Sequence, residues 1–396
     1  MTAAADTSAA AWRVVLACFL CAVFAWGFSF YAHGIYLVEL QKARGWSTGL
    51  ISSIVTGHYV LGALLLPAIA RAIGRFGPRA VLLSGLASLA AALVLLPAVE
   101  APWQLGLLYA AMAPGWNATS VAPIAATVGQ WFDRRRGLAL NLALSGATAA
   151  GLVVSPVLPA LIPVVGFASA ERLLVLLGLA VAGGAVALFV RRGPLSARPG
   201  TVPRGARPAL RDWHFWSIAA PFALVLTAQV GFLTHLVPLV GDRTGADPAL
   251  AVAINATMAL VGRVVLGLVI DRLSPRPAAA LCFLVQVAAI AVLATASLPL
   301  VVYAACAVYG LSVGNNITLA PLIVQREFAA ARFPAIVALS TAVGQLLYAF
   351  GPGLLGVLRD ASGSYALPLA LCLALNLAAT IIVLARRGVT TGTGGR

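Results

Sequence analysis

Apolar runs of about twenty residues, separated by short tufts of charge, fill this sequence and leave it few ways to fold. A run of that length crosses the hydrocarbon core of a bilayer as one helix. A backbone in lipid must satisfy its own hydrogen bonds, and a helix does so. Reading between the charges gives spans near 14–38, 47–70, 80–99, 102–131, 137–160 and 173–190, then 213–240, 249–270, 277–296, 300–325, 333–358 and 364–385. Ser297-Leu298-Pro299 divides a run too long for one helix, and Pro159, Pro163 and Gly166 are expected to mark where the fifth span leaves the membrane. The expectation is an all-α membrane protein of twelve transmembrane helices, built as two pseudo-symmetric six-helix bundles. Only 9% of the residues are charged, against roughly 25% in a soluble domain.

The organisation follows from where the charges fall. Residues 1–12 form a tail, 13–191 a first bundle, 192–212 an Arg- and Pro-rich linker, 213–387 a second bundle and 388–396 a second tail. No basic stretch precedes a cleavable apolar segment at the start, so the first run is expected to stay as a helix. The basic residues behind the net charge of +15 sit in short tufts between long apolar stretches and not in one basic domain, which argues against nucleic-acid binding. It follows topology instead: twenty Lys and Arg fall on the side of the termini and five on the other, with Arg263 inside a span. The positive-inside rule then places both termini in the cytoplasm. Cys18 and Cys21, like Cys282, Cys306 and Cys372, lie in apolar runs and are expected to be core residues rather than a redox or metal site.

A half-chain repeat is visible. Arg75-Phe76-Gly77-Pro78-Arg79 reappears as Arg272-Leu273-Ser274-Pro275-Arg276, and Asn117, Pro123 and Gly146 match Asn315, Pro321 and Gly344. Repeats of this kind let a transporter build two access states around a midplane site.

These residues carry a resemblance. Gly262-Arg263-x-x-x-Gly267-x-x-x-Asp271-Arg272 resembles the loop motif of the major facilitator superfamily; Gly74 departs from it in the first-half copy. Trp131-Phe132-Asp133-Arg134-Arg135-Arg136-Gly137-Leu138-Ala139, with Gly34-Ile35-Tyr36-Leu37 and Gly45-Trp46-Ser47, is similar to signatures of the monocarboxylate transporter family and its bacterial relatives, including oxalate/formate exchangers. The resemblance implies a bacterial member in the cell inner membrane. Arg75, Arg79, Asp271, Arg272 and Arg276, with Asp133, Arg134 and Arg135, form the gating motif it implies. Independently of any family, Arg at a cytoplasmic helix end can cap carbonyls and bind acids on the next helix, and such contacts would set the balance of access states. The plain alternative is topology alone. Ala139, Ala143, Gly146 and Ala150 read as packing.

Arg263 is the most informative residue. It lies about 12 Å of helix from Asp271, too deep for comfortable snorkelling, and the spans as drawn contain no Asp or Glu to pair with it. An incoming anion is the simplest partner, and a guanidinium fork suits a carboxylate. The resemblance implies the same role. The competing reading is an Arg capped by carbonyls or reaching back to Asp271. One turn earlier, where many proton-coupled relatives carry an acid or amide, stands Ala259, and Asn255 is the nearest polar residue. The stretch comparable to the exchangers' Lys offers only Gln345 and Tyr348, which favours a monocarboxylate.

His235, Asn117, Asn255, Tyr309, Asn315, Asn316 and Tyr31 complete the expected substrate contacts, several of them because the resemblance places their spans at the cavity. His235, His33 and His58 are the candidates to carry a proton, although a lone His in a helix is more often a packed, hydrogen-bonded core residue. The expected function is secondary transport of a small monocarboxylate by alternating access, with protons as a coupling candidate and the lipid bilayer as surroundings. The alternatives are an exporter or exchanger of another organic anion, a dicarboxylate or a drug, and, in a different class, a non-transporting membrane sensor. No catalytic constellation, cofactor site, metal cluster or phosphate-binding loop is found, so neither an enzyme nor ATP drive is expected.

Overall fold

A computed structural model describes residues 8–132, 136–194, 210–241, 245–269, 273–328 and 333–385, which form helices joined by short turns. The first half comprises α1 (Ala9–Trp26), continued by a π-helical turn at Gly27–Tyr31, α2 (His33–Arg44), α3 (Thr48–Phe76), α4 (Pro78–Leu95), α5 (Pro102–Thr119), α6 (Val121–Val128), α7 (Arg136–Val165) and α8 (Phe167–Phe189). The second half comprises α9 (Trp213–Gly241), α10 (Pro248–Val269), α11 (Pro275–Thr295), α12 (Pro299–Val313), α13 (Asn316–Glu327), α14 (Phe333–Tyr348), α15 (Gly351–Ser362) and α16 (Ala366–Leu384). Local sequence sets the boundaries. Pro opens α4, α5, α11 and α12, where its missing N–H costs nothing. Gly45, at φ 69°, ends α2, and the Ser47 hydroxyl then accepts from the Leu50 N–H to start α3.

Eleven helical segments of the described residues are long and apolar enough to cross a membrane. The expected fourth span, 102–131, is not among them. Gln104, Pro114 and Asn117 make α5 less apolar, and the extended Ser120 separates it from α6. Two other boundaries need correction. α7 runs through Pro156, Pro159 and Pro163 to Val165, since membrane helices tolerate proline. α8 begins at Phe167, not near 173, which brings Glu171 inside a span and buries it completely. The expectation that no span holds an acid was therefore wrong.

The short loops near residues 45–47, 99–101, 166, 245–247, 296–298 and 363–365 lie at one end of the array, called here the far end; the described chain ends lie at the other. Arg44 Nε donates to the Val99 carbonyl at the far end, and Trp131 Nε1 to the Arg191 carbonyl at the near one. The helices of each half pack chiefly on one another, α1 on α7 and α8, α4 on α5, α10 on α12, and α9 and α11 on α16. Gly146 makes the first of these contacts possible, since a Cβ there would run into the Phe19 carbonyl, and Ala139 and Ala143 are buried in the same seam. The two halves meet through α3 on α15, α7 on α10 and α2 on α9.

Candidate functional site

Where the halves meet at mid-depth, α10 carries Arg263. Glycines bring α10 and α12 into backbone contact: a Cβ at Gly262 would strike the Leu311 carbonyl, and one at Gly310 the Asn255 carbonyl. α12 stops at Val313, and the freed Gly314 carbonyl accepts a 3.3 Å hydrogen bond from Arg263 Nε. One edge of the guanidinium is thus held by a carbonyl, part of the alternative raised from sequence. Its terminal nitrogens make no hydrogen bond or ion pair with the described residues, and the side chain is half-buried. Its electrostatic neighbour is Tyr31, in the π-helical turn of the opposite half. Tyr31 in turn packs where Gly151 of α7 lacks a Cβ. Ala259, one turn before Arg263, is buried, and its carbonyl lies 2.5 Å from where a Cβ on Gly314 would stand, so a glycine at 314 lets the two helices meet there.

Asn117 also reaches the junction. Its Oδ1 accepts from Gln345 Nε2 at 3.2 Å, an α5–α14 hydrogen bond between the halves, while its Nδ2 donates to the Ala113 carbonyl. The repeat partner Asn315 behaves differently, facing α11 with Nδ2 on the Leu311 carbonyl and near Cys282 Sγ. Asn316 donates to Gln229 Oε1 at 2.9 Å, Asn255 donates to the Cys306 carbonyl at 3.3 Å, and the Tyr309 ring packs on Phe232 at 4.5 Å. All four are buried among helices of the second half. Of the substrate contacts expected from sequence, the structure brings together Arg263 and Tyr31, and places Asn117 in the same junction.

His235 lies elsewhere, in the far-end seal between the halves. Its Nε2 is 3.0 Å from the Pro352 carbonyl and 3.2 Å from Ser52 Oγ, and its Nδ1 is 3.3 Å from the Tyr365 hydroxyl. Thr56 and Ser52 of α3 meet α15 at Gly353 and Gly356 beside it. His33 and His58 sit within the first half, 6.2 Å apart between ring centroids, away from Arg263. A cavity of about 230 Å³ opens toward the far end, lined by Tyr31, Ile35, Pro159, Val237, Lys42 and Asp247 among others. Tyr31 is the residue shared by this cavity and the surroundings of Arg263.

The loop residues are less uniform than the repeat suggested. Arg75 and Arg79 are exposed, Arg75 lying over the neighbouring Phe76 ring. Arg276 is buried and grips Glu327 with both arms of its fork, Nε to Oε1 at 2.7 Å and Nη2 to Oε2 at 2.8 Å, while also donating to Ser217 and the Val383 carbonyl. Every one of these partners belongs to its own half, so Arg276 holds that half together and does not bridge the two. Asp133, Arg134, Arg135, Asp271 and Arg272 lie outside the described residues.

Two helical halves packed face to face around a mid-depth cation form a multi-pass membrane protein of transporter type. A family model described as Major Facilitator Superfamily matches residues 18–352. The chain is 28% identical over 284 residues to the MFS-type transporter pynF of Aspergillus niger, an alignment covering 68% of this chain and 63% of that protein. It is 31% identical over 303 residues to Monocarboxylate transporter 11 of Mus musculus, covering 70% and 64%, and 26% identical over 366 residues to Monocarboxylate transporter 13 of Bos taurus, covering 89% and 84%. The chain therefore spans less than two thirds of the first two of these relatives. It belongs to the Major Facilitator Superfamily. These relatives are fungal and mammalian and lend no support to the bacterial affiliation expected from sequence.

Proposed function

We propose that this protein is a secondary transporter that moves a small monocarboxylate across the cell membrane by alternating access, with Arg263 as the substrate anchor and both termini in the cytoplasm. The observation that carries the reading is the state of Arg263: Nε is committed to the Gly314 carbonyl, whereas the terminal nitrogens have no partner among the described residues. Two parallel donors remain for the two oxygens of a carboxylate. Tyr31 would add a hydroxyl from the opposite half, so a bound acid would touch both halves and its affinity would differ between access states, as a transported ligand requires. The names of the mouse and cow relatives agree with a monocarboxylate.

The test is binding of a panel of mono- and dicarboxylates to purified protein, read by thermal shift. A ligand at 100 times its Kd adds about 2.7 kcal/mol of stability. Arg263→Gln should abolish the shift, and Arg263→Lys should nearly do so, because an ammonium keeps the charge without the fork. Near-native affinity in either well-folded variant removes Arg263 as the anchor. A shift with dicarboxylates alone would change the substrate class.

A further inference from the structure

The first half encloses a second polar centre, distinct from Arg263. Glu171 stands four residues into α8, about 6 Å of helix from the far end, and is completely buried. The Tyr36 hydroxyl of α2 donates to its Oε1 at 2.6 Å. Its Oε2 has no partner, and no cation pairs with it among the described residues. Beside this pair lie Tyr109 of α5, His33 of α2 and His58 of α3. The His33 ring is 6.3 Å from Tyr36, 5.5 Å from Tyr109 and 6.2 Å from His58.

The unpartnered atoms are concentrated here. Fourteen buried side-chain nitrogens and oxygens lack a well-formed hydrogen bond among the described residues; seven belong to Ser29, His33, His58, Tyr109, Trp116 and Glu171, with the Phe30 backbone as a polar neighbour of the His33 ring. Scattered orphans could be local misfits, but seven in one neighbourhood mark a cluster of unsatisfied polar atoms around Glu171 and the two histidines. Burying one polar atom without a partner costs on the order of 1–3 kcal/mol, so the natural occupant is water, which serves two to four such atoms at once. His58 has a defined polarity. Its Nδ1 is 2.9 Å from the Tyr109 carbonyl, which can only accept, so neutral His58 carries its proton on Nδ1 and leaves the Nε2 lone pair without a partner among the described residues.

We propose that Glu171, with Tyr36, Tyr109, His33 and His58, forms a hydrated proton-binding site inside the first half. The ligand is a proton, taken up from water on Glu171 Oε2 and stabilised by the Tyr36 hydroxyl on Oε1. A carboxyl that can lose its charge by binding a proton is far cheaper to bury than a permanent anion. Tyr109, His33 and His58 supply alternating donors and acceptors through which a proton can pass by way of water. The row continues to Tyr59, whose ring is 5.0 Å from His58 and 5.9 Å from Tyr348 of α14, so it ends at the junction of the halves. Among the described residues, the other charged and titratable groups on the helices packed around this cluster are placed elsewhere: His235 of α9 is bonded to the Pro352 carbonyl, and Glu100 lies exposed just before α5. Arg172 and Arg44 point to the Val94 and Val99 carbonyls, Glu39 pairs with Lys42, and α1 adds only Cys18 and Cys21 besides Arg13 at its near-end start. α4 contributes Arg79 at its near-end start, and α7 has no titratable residue between Leu138 and Val165.

This assignment does not depend on the identity of the substrate, and its test does not use one. The protein in lipid nanodiscs is followed by attenuated-total-reflection infrared spectroscopy while pH is stepped from mildly acidic to alkaline. Wild type should show a buried carboxylic-acid carbonyl band that diminishes as pH rises and shifts promptly in D2O. The band should vanish in Glu171→Gln and shift in frequency in Tyr36→Phe, which removes the hydrogen bond to Oε1. Replacing His33 and His58 together by Gln should slow the D2O shift. A band that persists unchanged in Glu171→Gln does not come from Glu171, and one that neither titrates nor exchanges comes from a merely structural acid; either result overturns the proposal. Should Glu171→Gln not fold, an unshifted band in Tyr36→Phe overturns it equally.

Discussion

Asp360 Oδ2 accepts a 2.6 Å hydrogen bond from the backbone N–H of Gly49, joining the end of α15 to the first turn of α3 across the two halves. The carboxylate sits at the positive end of the α3 dipole. Gly49 is what allows it so close, since a Cβ there would come within 2.6 Å of the same oxygen. A charge-assisted hydrogen bond of this kind contributes about 1.5–3 kcal/mol. Asp360→Ala should therefore shift the population toward far-end opening by about tenfold or more, with Asp360→Asn between the two. The measurement is maleimide labelling at Ser52→Cys, a fully buried position on α3 among five native cysteines that are themselves buried. An unchanged labelling rate would show that this contact does not hold the seal.

His235 belongs to the same seal, and this changes what its replacement should do. With Nε2 donating to the Pro352 carbonyl, His235→Leu leaves that carbonyl and Ser52 without it, whereas His235→Gln can still donate. We expect His235→Leu to raise far-end labelling severalfold and His235→Gln to raise it little, with carboxylate affinity in both staying within a few-fold of wild type. A loss of affinity comparable to that of Arg263→Gln would return His235 to the substrate site.

The proposed placement of both termini in the cytoplasm rests on the asymmetry of twenty basic residues against five. Reporter fusions at Gly205 and after Arg396 should read as cytoplasmic and one at Gly245 as external. A cytoplasmic reading at Gly245 would invert or redraw the topology.

Arg276 and Glu327 make the strongest forecast about stability. Their side chains are 5% and 16% exposed, the fork is bidentate, and the pair links α11 to α13, with Ser217 and Val383 tying in α9 and α16. Removing one partner of a buried pair typically costs about 3–5 kcal/mol. Arg276→Ala should lower Tm by several degrees, and Arg276→Lys should recover little of it, because the ammonium cannot span both oxygens and the Val383 carbonyl. A Tm equal to wild type in Arg276→Ala would mean that the pair is screened by water and adds little.

Much of this was legible in the sequence, and the failures have common physical causes. The helices follow from apolar length, and Arg263 stood out because it is the one basic residue within a run. Drawing spans between charges, however, puts every acid outside the membrane by construction. Glu171 was lost that way; Gly166, five residues before it, was the signal that the helix starts sooner. The repeat equated Asn117 with Asn315 and Arg79 with Arg276, yet each pair has diverged in partners, because repeats conserve position along a helix and not the face a neighbour presents. His235 could not be assigned from α9 alone: its partners Ser52, Pro352 and Tyr365 come from three other places in the chain.

Gly151 allows the junction itself to be tested. A Cβ on it would lie 2.6 Å from Ala256 Cβ on α10 and 3.0 Å from two ring atoms of Tyr31. Neither neighbour yields freely, because Ala256 Cβ moves only with its backbone and Tyr31 is packed beside Arg263. Gly151→Ala should therefore push α7 from α10 at the depth of Arg263, lowering carboxylate binding about tenfold while each half stays folded. Gly146→Ala, one and a half turns away, should instead strike the Phe19 carbonyl within the first half and reduce folded yield. The decisive arm is a suppressor. Ala256→Gly removes the very atom that a Gly151→Ala methyl would meet, so the double variant should regain much of the lost binding, although neither site bears a group that could hold a substrate. If the double variant is no better than Gly151→Ala alone, the close approach of α7 and α10 does not shape the site around Arg263.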